Sequence, residues 1–231
     1  MNQGGGMRGI VFIGGEGPPV SRSRELAGRA DIIVAADSGL IAAEQAGLRP
    51  RWVVGDMDSL DDIRRLEKYP PERVLRYPHD KDYTDTELAL RLLWDQGCDE
   101  TWIFGGGGGR IDHILAIRSL FERERNPDRW LTGAEDIRCL RAGETFCFGA
   151  GGEDSGGRTA MPGRFPNCRV SVFPLGGGPW KAESRFLTWP LEGLPWDRGF
   201  FGISNTAPEG HFSIHALEGS FLVINPLFPE Y

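Results

Sequence analysis

Apolar and polar positions change their period once along the chain. From Gly9 to Arg118, short unbroken apolar runs alternate with segments of helical period. The runs are GIVFIGG, DIIVAAD, RWVVGD, RVLRYP and TWIFGG, and all but the first lead into a helical pattern: SGLIAAEQAG, SLDDIRRLEKY, TDTELALRLLWDQG and RIDHILAIRSLFERER. Strands apolar on both faces, each separated by one helix, predict a parallel sheet covered on both sides. After about Asn126, glycine, proline and short alternating runs (RVSVFPL, FSIHAL, SFLVINPLF) replace the helical period and predict an all-β sandwich. The expected organisation is an α/β domain over residues 8–126 followed by a β-sandwich domain over residues 127–231. Residues 149–167, GAGGEDSGGRTAMPGRFPN, are glycine-rich and polar and read as a mobile loop inside the second domain.

With 231 residues the chain is long enough to bury a real core as one large domain or two small ones. A formal charge of -7 argues against a nucleic-acid backbone or an anionic membrane surface as partner and favours a cationic or metal-bridged ligand. Cys98, Cys139, Cys147 and Cys168 form no CxxC pair and no regular disulfide framework, so they read as reduced thiols. The N-terminal MNQGGGMRG lacks the order of a signal peptide, and no apolar stretch reaches the roughly 18 residues of a membrane helix. A cytoplasmic location is the expectation.

In an open parallel sheet of Rossmann-like type, ligands bind beyond the carboxyl ends of the strands. Four of these ends carry polar residues. Asp37 closes DIIVAAD. Asp56 and Asp58 follow RWVV, where they project to one side if the extended backbone continues, with Gly55 allowing a tight turn. In HDKDYTDTEL, Thr84 and Glu87 have capping-box spacing, Asp85 falls in the first helical turn, and Asp80, Lys81 and Asp82 stand just ahead. The fourth is GGGGGRIDH, a glycine run containing Gly107 and Gly108 between strand and helix. Its amides and helix dipole suit a phosphate, and Arg110, Asp112 and His113 follow directly.

Each feature alone has a plain structural reading: a DxD as a solvated turn, Asp85 as a helix N-terminal charge, a glycine run as linker, His113 as a structural histidine. His79, His211 and His215 offer no metal-ligand spacing. The argument is convergence, because the sheet rule gathers acids and glycines from separate segments at one edge. Three carboxylates with a phosphate cradle and Arg110 describe a hard-cation site for Mg²⁺ bridging polyphosphate oxygens. The only lysines, Lys68, Lys81 and Lys181, do not follow a glycine, which excludes a Walker A loop. The glycines also lack the dinucleotide fingerprint, so a nicotinamide cofactor is not expected.

ADSGL, GDMDSL, KDYTDTELAL, GGGGGRIDH and GISN, in this order, resemble the thiamine pyrophosphokinase family over about residues 9–228. Ser38 stands where that family usually has a second glycine. The resemblance implies transfer of the pyrophosphoryl group of ATP to the hydroxyethyl oxygen of thiamine, releasing AMP, in a homodimer with sites at the subunit interface. It makes Asp56, Asp58 and Asp85 the Mg²⁺ ligands, and Lys81, Arg110 and Asp112 nucleotide and phosphate contacts. Ser59 and Thr84 are placed to position the acids. Asp37, Asp82, Gly107, Gly108 and His113 complete the expected nucleotide side, and Asp82, Asp112 and His113 are the candidates for a general base. Ser204 and Asn205 of GISN are implied partners of the thiamine aminopyrimidine, with Trp189 of FLTWPL as an aromatic face. Thiamine's positive charge suits a net-acidic protein. The rival readings are another Mg²⁺-dependent phosphotransferase, a non-catalytic thiamine or nucleotide binder, and a structural dimer module.

Overall fold

In a computed structural model of the protein, which describes residues 6–149 and 166–227, the chain divides into two compact units. The first comprises the chain up to Leu120 together with Pro127–Ala134, and the second comprises Phe121–Asn126 and the chain from Glu135 onward. The chain therefore passes between units three times, rather than once at 126/127. One reason is the short segment RWL, which pairs in parallel with the strand Glu100–Phe104. The other is the short segment before it, whose Asn126 accepts from Arg141 and whose Glu122 accepts from the Gly176 amide.

The first unit contains, in chain order, β1 (Arg8–Phe12), α1 (Val20–Ala27), β2 (Ile32–Ala36), α2 (Gly39–Gln45), β3 (Trp52–Gly55), β4 (Val74–Arg76), α3 (Asp85–Asp95), β5 (Glu100–Phe104), α4 (Ile111–Leu120) and β6 (Arg129–Leu131). Its strands lie in the order β6-β5-β1-β2-β3-β4, and every neighbouring pair is parallel. Ile10, Val11, Val34, Ala35, Val53 and Ile103 are wholly buried, as unbroken apolar runs require. Chain order reverses between β1 and β5, which is where the ligand rule for such sheets places a crevice.

Two local expectations change. VSRSRELA forms α1 although its polar residues give no clear apolar stripe; only Ser23, Leu26 and Ala27 are buried. The spacing of SLDDIRRLEKY predicts a helix along its length, yet only Ile63–Lys68 is helical, and as a 3₁₀ turn. Asp62 accepts from the Arg64 amide, a single buried Leu66 anchors the segment, and Pro70 and Pro71 stop it.

The second unit contains β7 (Glu135–Leu140), β8 (Thr145–Phe148), β9 (Cys168–Leu175), β10 (Lys181–Arg185), β11 (Gly202–Ala207), β12 (Phe212–Glu218) and β13 (Ser220–Pro226). The strands β11-β9-β13-β7 and β10-β12-β8 form two antiparallel layers. Phe146, Phe148, Phe212 and Ile214 from one share a core with Val170, Val172, Phe221 and Val223 from the other, the arrangement of a β-sandwich. Residues 150–165, most of the expected loop, lie outside the described residues. None of the four cysteines is in a disulfide, and no described helix is long and apolar enough to cross a membrane.

Candidate active site

Three elements of the first unit deliver acids to one place. Asp37 follows β2 with φ 49°, held there by its amide bonding to the Val54 carbonyl at 2.9 Å. Gly55 ends β3 with φ 145°, a conformation that side chains resist. A Cβ on Gly55 would lie 3.2 Å from Asp85 Oδ1 and 3.3 Å from the Asp37 Cβ. The missing side chain at residue 55 is therefore what lets Asp37 and Asp85 close over the end of β3.

The DMDS segment does not continue as extended strand. Met57 turns to φ 69° and buries its side chain with Ala35, Leu40, Val53, Leu66 and Tyr69. Asp56 and Asp58 come together through that turn instead, the Asp58 amide donating to Asp56 Oδ1 at 3.3 Å. Ser59 donates to Asp58 Oδ1 at 3.0 Å. A left-handed non-glycine residue beside functional groups is the kind of local strain that a surrounding core must hold in place.

Thr84 caps α3 in the expected capping box: the Glu87 amide donates to its hydroxyl at 3.3 Å, and Glu87 Oε2 accepts from the Thr84 amide at 2.9 Å. This fixes Asp85 in the first turn. Lys81 Nζ stands 3.1 Å from Asp85 Oδ1 and 3.5 Å from Asp56 Oδ2. The electrostatics follow from four carboxylates around one ammonium. Burial pushes the Asp37 carboxyl above its ordinary value; a Ser59 hydrogen bond opposes this, and the charges of Asp56, Asp85 and Asp58 add to it. Burial also works against the charged forms of Asp56 and Lys81. It is outweighed in Asp56 by hydrogen bonds from Asp58 and Lys81, and in Lys81 by Asp85 and Asp56, so Asp56 falls and Lys81 rises.

This donor set fits a divalent cation. Like charges about 4 Å apart repel by about 4 kcal/mol at an effective dielectric constant of about 20, and Lys81 neutralises only one of the four acids. Asp37 Oδ1 and Asp85 Oδ1 are shut from solvent without a well-aligned hydrogen bond, although Lys81 stands close to the latter. Buried carboxylate oxygens left in this way suit a hard cation.

The glycine loop is more committed than its composition suggests. The amides of Gly105, Gly106 and Gly107 donate to the carbonyls of Leu131, Gly14 and Glu16, and the Glu16 amide returns a bond to Gly107. The Gly107 amide is thus engaged within the protein. The Glu16 carboxylate lies against Gly108, where an added Cβ would come within 2.6 Å of its Oε1. Arg110 and Asp112 pair at 2.5 Å on the exposed start of α4, which holds the Asp112 carboxyl below its usual range. His113 and Asp82 are exposed. No described contact joins these four residues to the acid cluster. Ser38, the departure from the family pattern, is accommodated by Gly14: a Cβ there would lie 2.5 Å from the Ser38 hydroxyl.

In the second unit Trp189 is 59 % exposed. Asn205, expected to face a ligand, is instead buried: its Oδ1 accepts from the Trp189 and Thr206 amides at 3.1 and 2.9 Å, and its Nδ2 donates to the Trp189 carbonyl at 2.6 Å. The amide is spent on pinning the Trp189 backbone. Ser204 is exposed at φ 56°, with its amide donating to the Ser171 hydroxyl at 3.2 Å.

Sequence reasoning missed two residues. His79 lies with Asp56 and Asp58, their ligand atoms all within 4.8 Å of one another. Only its position in HDKD, two residues before Lys81, hinted at this. Glu16 had no signal beyond following a glycine pair. Two concavities, of about 400 Å³ beside Glu44, Arg49 and Tyr69 and about 540 Å³ over Cys147, Glu183 and His215, share no residue with the acid cluster. The case for the site is chemical.

Fold and site together define the class: a mostly parallel α/β domain presenting carboxylates at its strand ends, joined to a β domain. Residues 23–129 match the model of the thiamin pyrophosphokinase catalytic domain. It is 36% identical over 104 residues to the Bacillus subtilis (strain 168) thiamine pyrophosphokinase, an alignment spanning 43% of this chain and 48% of that protein. The matched stretch is thus about half the relative's length. The crystal structure of thiamin pyrophosphokinase from Geobacillus thermodenitrificans is similar with a TM-score of 0.70 at 23% identity, covering 96% of this chain and 98% of that one. The yeast thiamin pyrophosphokinase gives 0.64 at 14% identity, covering 98% and 88%. Asp37, the DMDS turn, Lys81, Asp85 and Arg110 fall inside the family match, whereas Trp189, Ser204 and Asn205 fall outside it.

Proposed function

We propose that the protein is an ATP-dependent thiamine pyrophosphokinase. The observation that carries this reading is the meeting of Asp37, Asp56, Asp58, Asp85 and Lys81 at the strand ends of a domain that matches that family's catalytic domain. The thiamine hydroxyl oxygen bonds to the β-phosphorus of ATP while the bond from that phosphorus to the α,β-bridging oxygen breaks. AMP leaves with the bridging oxygen, and the hydroxyl proton passes to a base among Asp82, Asp112, His113 and solvent. Asp56, Asp58 and Asp85 would hold Mg²⁺, which when bound supplies neutralisation of the polyphosphate charge. Lys81 adds a fixed positive charge beside them, and Met57 and the Thr84 cap keep the acids oriented. Such chemistry needs placement and charge rather than a covalent protein group.

On the nucleotide side we assign Ser59, Thr84, Gly108, Arg110 and Asp112, with Gly107 shaping the loop. On the thiamine side the exposed Trp189 indole is the stacking face, Ser204 the polar contact, and Asn205 the residue that holds Trp189 in place. A Rossmann-like nucleotide site, a cytoplasmic homodimer and a thiamine pocket shared between subunits belong to the same proposal. Cysteines outside any disulfide and the exposed Phe186, Trp189, Phe201 and Ile203 support it. Incubation with ATP, thiamine and Mg²⁺ should release AMP in step with thiamine diphosphate. ADP produced in step with thiamine consumption would reject pyrophosphoryl transfer, and tight thiamine binding without turnover would favour a binding protein.

A further inference from the structure

The acid cluster has two sides with different chemistry. On one, Lys81 stands between Asp56 and Asp85, so these two carboxylates already share a cation. On the other, Asp56 and Asp58 are joined by their turn and meet an imidazole, that of His79, which the chain brings back after β4 ends at Arg76. Asp58 and His79 are exposed and can rotate towards Asp56, which the Asp58 amide and Lys81 hold in place. Donors about 2.1 Å from a common ion lie within roughly 4.2 Å of one another. Atoms already within 4.8 Å need only small rotations to reach that arrangement.

We propose that His79 gives a ring nitrogen to the divalent ion held by Asp56 and Asp58, making this a mixed nitrogen–oxygen site that prefers Mn²⁺, Co²⁺ or Zn²⁺ over Mg²⁺. The inference rests on the proposed function only in expecting a divalent ion at the aspartate pair. Mg²⁺ keeps to oxygen donors and dehydrates reluctantly, so a neutral imidazole adds little to its binding. The later first-row ions accept imidazole readily, and their affinity rises from Mn²⁺ towards Zn²⁺ at such a donor set.

The test uses Mn²⁺ itself as the probe, followed by electron paramagnetic resonance, with spin-echo modulation reporting directly bound nitrogen. The full-length protein should bind Mn²⁺ with an imidazole nitrogen in its coordination sphere. His79→Gln should lose that modulation and weaken Mn²⁺ by at least about tenfold, the low end of the cost of losing even an outer-shell partner. Mg²⁺, measured by competition, should weaken less. Asp58→Asn should abolish the same site, which separates it from His211 and His215. Since His79 is exposed, His79→Gln should melt with the parent. Mn²⁺ bound through oxygen alone, a nitrogen signal that survives His79→Gln, or an unchanged Mn²⁺ affinity in that variant would each overturn the assignment. A nitrogen-coordinated Mn²⁺ in a protein that releases no AMP would support the ligand and reject the enzyme, and AMP release from an all-oxygen site would do the reverse.

Discussion

Asp37 holds a left-handed φ, a buried and unbonded carboxylate oxygen, and three acidic neighbours. The folded protein keeps its proton more tightly than the unfolded chain does. Between the ordinary value of 3.8 and the raised one, the folded state binds more protons, so this residue's contribution to stability falls as pH rises. In metal-free protein near neutral pH, Asp37→Asn should therefore melt above the parent, and the difference should shrink as the pH approaches 3.8. A lower melting temperature at neutral pH would mean that the Asp37 carboxylate holds the fold together. Asp37, Asp56, Asp58 and Asp85 were legible because each closes a strand or opens a helix, and the sheet rule needs only that. His79 was not legible, since its place beside Asp56 depends on how the chain returns after β4. Asn205 was expected to meet a ligand through the resemblance of GISN, and its side-chain amide is bonded to the Trp189 backbone and the Thr206 amide.

Among the elements, the most faithfully read was α3, because its start is written in local chemistry. Thr84 and Glu87 satisfy each other's amides in the order a capping box requires. Thr84→Ala should cost about 1 kcal/mol of stability, a melting shift of about 2–4 °C for a chain of this size. It should also lower AMP release by more than that shift explains, because the cap orients Asp85, and Thr84→Ser should restore both. Equal, small losses in stability and rate would make the cap purely structural. The segment after β3 was misread for the opposite reason. Its apolar spacing resembles a helix, but Asp62 captures the Arg64 amide and two prolines end the turn before a second apolar contact can form. In the β half, RVSVFPL, FSIHAL and SFLVINPLF announced β9, β12 and β13 by alternation. The small polar positions of GISN conceal β11, which its pairing with β9 defines.

At the scale of the molecule, the acids belong to one unit and Trp189 to the other. If two copies share each thiamine pocket, an Asp58→Asn chain and a Trp189→Ala chain should complement one another. Co-expressed with different tags and purified as a heterodimer, they should recover about half the parental AMP release, since one composite site of two is intact in an isologous dimer. A heterodimer as inactive as both parents would assign a complete pocket to each subunit. The two-part architecture was visible in the change of period near Asn126, but the exchange of segments around it was not, because β6 is three residues long and shows itself only by pairing with β5. That exchange governs how the gene can be divided. A fragment ending at residue 126 would lack the last strand of its own sheet and carry a stretch that belongs with the other unit, and the complementary fragment would have both errors in reverse. Neither half of the protein can be cut out as a single continuous piece of coding sequence.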